Sequence, residues 1–155
     1  MVWQTLRALK ALLGCLALAA CASVTAATKP AEPVYDVRSA VVVSGPNIPP
    51  ALLTATNGRV NAAIAATTRD APLPRVVLTI RVVEVKKAQG FNNDRNTAKI
   101  AIDATSVDTG SVIGIASFET TTIAPDPSVA DDLMAEDIAA RVRSTFALKT
   151  PGLSG

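Results

Sequence analysis

The residues able to do chemistry in this 155-residue chain are few. Histidine is absent throughout, which removes the Ser-His-Asp triad, the usual zinc ligands and the commonest general base. Cys21 stands directly after Leu18-Ala19-Ala20. A thiolate is the one group in that stretch able to form a thioether. Asp108, in Val107-Asp108-Thr109-Gly110-Ser111, could activate water only if a second such carboxylate shared a proton with it. Asn92, Asn93 and Asp94, and further on Asp131 and Asp132, offer oxygen ligands of the kind hard cations take. No phosphate-binding loop or dinucleotide glycine pattern is present.

Most of these groups have a simpler use. An Asp-x-Gly between two strands is an ordinary hairpin turn, the aspartate accepting backbone hydrogen bonds and the glycine taking positive φ. Asn92 to Asp94 reads as a polar hairpin tip, and Asp131 with Asp132 as the acidic first turn of a helix. Val107 to Ser111 is also similar to the active-site loop of aspartic proteases, and that resemblance implies a homodimer with Asp108 as its catalytic carboxylate. The preceding Thr105-Ser106 is less apolar than the protease pattern, and no later apolar-apolar-Gly element is placed to pack behind the loop. The expectation is no catalytic residue, no metal ligand and no cofactor, with the protease as the alternative.

The first ten residues carry Arg7 and Lys10 and no acid, and an apolar run, Ala11 to Ala20, follows. That run is far shorter than the roughly 20 residues a bilayer-spanning helix needs, so the segment reads as an export signal. Leu18-Ala19-Ala20-Cys21 resembles the lipobox of bacterial lipoproteins. The resemblance implies cleavage after residue 20, lipidation of Cys21, and attachment to a membrane through the N-terminal lipid. Ala22 rather than Asp after the cysteine implies the outer membrane, facing the periplasm, with the inner membrane as the alternative. An ordinary secretory cut at Ala17-Leu18-Ala19 or Ala20-Cys21-Ala22 is the competing reading. Lipidation would leave no free thiol and no disulfide, so stability must come from a core. Without Arg7 and Lys10 the 15 basic residues fall to 13, equal to the 13 acids, and a neutral chain without basic runs gives no case for nucleic acid.

Residues 21–35 are small, polar and broken by Pro30 and Pro33, the composition of an extended tether. Residues 36–149 then form one domain, and 150–155 a tail. Asp36 to Ser44 is rich in β-branched residues and stops at Gly45-Pro46, which predicts a strand. Leu53, Val60 and Ile64, with Leu52, Thr56 and Ala63 beside them, share one face of a helix over Ala51 to Thr67. Asn57-Gly58 in its middle predicts a break or kink, because glycine costs about 1 kcal/mol there. Arg75 to Lys87 is the strongest strand signal, its alternation slipping after Val82 in the manner of a bulge or of a strand projecting beyond the sheet. A polar turn at Gly90 to Asn96 carries Phe91, a candidate exposed contact. Ala98 to Thr105 and Ser111 to Thr122 supply two more strands. Ser128, with Asp131 three residues on, is placed to cap a last helix whose inner face reads Leu133, Met134, Ile138, Val142 and Phe146.

The order β-α-β-β-β-α predicts an α+β two-layer sandwich: about four mostly antiparallel strands with both helices on one face. That order, behind a lipobox and a proline-bearing tether, resembles the small domains of envelope lipoproteins, among them the lipopolysaccharide-assembly lipoprotein and auxiliary lipoproteins of ABC transporters. The resemblance implies a non-enzymatic binding, assembly or transport-accessory role with an envelope protein as partner. It transfers no functional residue except Cys21.

Overall fold

The long strand β2, Arg75–Gln89, forms because Val76, Leu78, Ile80 and Val82 repeat every second residue, the period that sends side chains to one face of a sheet. All four are fully buried. The computed structural model describes residues 32–152. The export segment, Cys21 and most of the tether lie outside the described residues, as does the end of the tail. β1 (Asp36–Ser44) runs parallel to β2, β3 (Arg95–Ser106) antiparallel to it, and β4 (Val112–Ile123) antiparallel to β3. The sheet order is β1-β2-β3-β4. A parallel first pair needs a crossover rather than a hairpin, and helix α1, Pro50–Ala65, provides it. Helix α2, Ala130–Phe146, closes the chain. The predicted α+β class and element order are those observed.

One face of the sheet and the apolar stripes of both helices make a single core. Ile80, Ile100 and Ile102 come from the sheet, Leu52 and Val60 from α1, and Met134, Ile138 and Val142 from α2. α1 lies against β1 and α2 against β3 and β4, and the helices pack on each other. Arg59 of α1 pins that contact, donating to Asp132 at 2.6 Å and to Glu136 at 3.0 Å on α2. The slip read after Val82 is a register shift in the β2–β3 pairing between Val82 and Glu84.

Three local expectations are corrected. The helix does not break at Asn57-Gly58 but runs unbroken from Pro50 to Ala65. Leu52, Thr56, Val60, Ala63 and Ile64 are buried along one side of it, and burying even one such aliphatic side chain outweighs a glycine penalty of about 1 kcal/mol. Ser128 does not cap α2 with its side chain; Asp126 accepts from the Ser128 N–H at 2.8 Å and starts a short 3-10 turn, Pro127–Val129, that leads into the helix. Leu133 faces outward, and the inner face is completed by the small residues Ala135 and Ala139. Alanines there let α2 lie close on the sheet, so the bulk of Leu133 is not needed.

Candidate docking edge

Asp108, the candidate catalytic carboxylate of the protease alternative, sits in the β3–β4 hairpin turn. Gly110 takes φ +71° and its N–H donates to the Ser106 carbonyl at 2.9 Å, while the Thr109 N–H donates to Ser106 Oγ at 3.3 Å. The Asp108 carboxylate is exposed and ion-paired with Arg75. Asn93 takes φ +54° in the β2–β3 turn, beside a fully exposed Phe91. Asp131 pairs with Lys87 at 2.5 Å and Asp132 with Arg59. Among the described residues no three acidic side chains gather as a metal site would require. Cys21 lies outside the described residues.

The two edges of the sheet are finished differently, and no residue pattern in the chain had signalled it. At the β1 edge, Asn61 of α1 turns its side-chain amide onto the strand. The Ala40 N–H donates to Asn61 Oδ1 at 3.0 Å, and Asn61 Nδ2 donates to the Ala40 carbonyl at 2.9 Å. The amide thus makes the two bonds a neighbouring strand would make, which blunts the edge. Among the described residues the β4 edge has no such two-bond cap; near its start, at the register shift that skips Ile113, Tyr35 Oη donates to the Ile113 carbonyl at 3.2 Å. Tyr35 itself packs against Phe146 of α2, ring centres 6.5 Å apart.

Beyond Ile113 the direction of the β4 backbone follows from alternation. The Ala124 N–H donates to the Asp94 carbonyl, so the even-numbered residues of β4 bond β3. The odd-numbered ones, Ile115, Ser117, Glu119, Thr121 and Ile123, turn their N–H and carbonyl groups to the free edge. The side chains of those same five residues stand on the solvent face of the sheet and are exposed. Ile115 is 80% exposed and Ile123 55%. No lysine, arginine or proline, the residues that usually guard an edge, occurs between Val112 and Ile123.

On the same face an open groove of about 620 Å³ runs over Glu84, Lys86, Arg95, Lys99 and Glu119. Lys99 lies 3.1 Å and Lys86 3.3 Å from the Glu84 carboxylate. The hydrogen bond from Lys99, then that from Lys86, holds the Glu84 carboxyl below its ordinary range. Glu84, and secondarily Glu119, hold the Lys99 ammonium above its own. Glu84, Lys86 and Lys99 are solvated and mutually paired, which makes the groove a hydrated surface rather than an enclosed cavity.

No protein-family description matches the chain, and no curated protein does. Among solved structures, the chain is similar to the PelC dodecamer from Paraburkholderia phytofirmans at 17% identity and TM-score 0.47, over 74% of this chain and 89% of that one. A point variant of that protein aligns at 23% identity and TM-score 0.44, over 71% and 88%. A candidate lipoprotein from Caulobacter crescentus CB15 aligns at 12% and 0.42, over 69% and 88%. Likeness at these values does not fix a family.

Proposed function

We propose that the chain is a lipid-anchored envelope protein, held by Cys21 to the periplasmic face of the outer membrane, whose domain has a binding, assembly or transport-accessory role and no enzymatic one. The observation that carries the binding role is the unguarded β4 edge. A sheet whose described residues cap one edge with a helix amide and leave the other open from Ile115 to Ile123 offers backbone groups to an added strand. The anchor is supported by the lipobox-like Leu18-Ala19-Ala20-Cys21 behind Arg7, Lys10 and the apolar run. No described helix is long and apolar enough to cross a membrane, so attachment would rest on the lipid.

The test is metabolic labelling of the expressed chain with a fatty-acid analogue, followed by membrane fractionation and mass spectrometry of the exported N-terminus. Label on a product beginning at residue 21, in the outer-membrane fraction, is the expected result, with label and membrane retention both lost in Cys21→Ser. An unmodified N-terminus elsewhere would remove the anchor.

A further inference from the structure

We infer that the β4 edge docks a second copy of this chain, in an antiparallel strand pair whose two-fold axis passes at Glu119. The inference names the occupant of the docking edge proposed above and rests on that reading.

A closed symmetric pair requires one surface to complement itself, and β4 has that property. Its five solvent-face residues run Ile115, Ser117, Glu119, Thr121, Ile123, an order of apolar, hydroxyl, acid, hydroxyl, apolar that is unchanged when reversed. An antiparallel partner centred on Glu119 sets Ile115 against Ile123 of the other copy, twice, and Ser117 against Thr121, twice. Pairs of this kind are the favourable unit of sheet association. The length agrees independently. Tyr35 occupies the Ile113 carbonyl at one end, and the strand stops at Ile123, so among the described residues the open stretch is Ile115 to Ile123, with Glu119 at its midpoint.

The alternative of open-ended growth, β4 of one copy on β1 of the next, meets the Asn61 amide already bonded to Ala40. Beside the β4 edge, a hollow lined by Glu119, Thr120, Asp137, Ala140 and Arg141 would face its counterpart, the Arg141 of each copy set among the acids Glu119 and Asp137. The anchor geometry also suits a pair. A two-fold axis normal to the sheet keeps both helix layers on one side. The described chain begins there, with Val34 and Tyr35 beside Ile115 and Phe146. The two starting points would lie about 27 Å apart, eight strand residues, while in each copy the segment from Cys21 to Glu32 can reach at most about 40 Å.

One feature opposes the pair: Glu119 of each copy lies opposite the other, with Lys99 its cross-strand neighbour on β3. Like charges directly opposite weaken a pair, so removing this one should strengthen it.

The experiment uses the full chain in intact envelopes. Directly opposed, hydrogen-bonded residues have Cα atoms about 5.5 Å apart, within disulfide range. Glu119→Cys should therefore give an oxidation-dependent band at twice the chain mass, whereas Val41→Cys, exposed on β1, should not. Adding Ser117→Pro should abolish the band without unfolding the domain, because the Ser117 N–H faces the free edge and makes no ladder bond. Separately, Glu119→Gln should raise the dimer fraction of detergent-extracted protein, a roughly two- to fivefold tightening. No band from Glu119→Cys, a band that survives Ser117→Pro, or an equal band from Val41→Cys overturns the inference. An adduct of another mass that Ser117→Pro removes would also overturn it, while leaving the docking edge itself standing.

Discussion

At the scale of single residues, the same side chain can be catalytic or structural, and its partners decide which. Asp108 is exposed and ion-paired with Arg75, whose side chain is half exposed as well, in a turn held by Ser106 and Gly110. Exposed ion pairs are worth about 0–1 kcal/mol. Asp108→Asn is therefore expected to lower unfolding free energy by no more than about 1 kcal/mol in urea titration; a loss of several would mean that the turn depends on that charge. The sequence supported this turn reading, because Asp-Thr-Gly between two alternating runs has a local use. Asn61 was not legible in the same way. Its role depends on where α1 lies relative to β1, and it stood in a helical pattern as one polar residue among many.

At the scale of elements, periodicity is read reliably and punctuation less so. The buried faces of β2 and β3 are those expected from alternation, since a half-buried strand has only two faces to choose from. The kink expected at Asn57-Gly58 is absent because the cost of a glycine is set against burial along the whole helix, which no local window contains. The cap at Asp126 rather than Ser128 is a shift of two residues in one short turn. The β1 edge carries a prediction of its own. Asn61→Ala would leave the part-buried Ala40 N–H and carbonyl without their partners, a cost of about 1–3 kcal/mol. It should appear as a lower denaturation midpoint and, with that edge freed, as concentration-dependent association. A wild-type midpoint with no added association would show that the amide does not guard the edge.

For the whole molecule, stability should hold across neutral pH and be lost on both sides of it. In acid the loss runs through two carboxyls, and in alkali through Lys99, whose ammonium is held above its ordinary range by Glu84. The absence of histidine leaves no histidine to titrate in the neutral range. Glu84, through Lys99 and Lys86, and Asp126, through the Ser128 N–H, have carboxyl pKa values lowered by folding. A lowered folded-state pKa adds stability above the unfolded-state value, and that contribution is lost as pH falls through the folded one. Melting temperature is therefore expected to stay level across neutral pH and to fall in acid, and Glu84→Gln with Asp126→Asn should shallow the fall; an unchanged acid slope would remove these two groups as its source. The sequence alone determined the element order, the face that each strand of the β2–β3 hairpin buries, and the absence of histidine, because these follow from residue type and spacing along the chain. Only the tertiary structure decided which strand edge is capped and which is open. An edge is defined by what lies beside it in space: Asn61 lies 21 residues from Ala40, and Tyr35 lies 78 from Ile113.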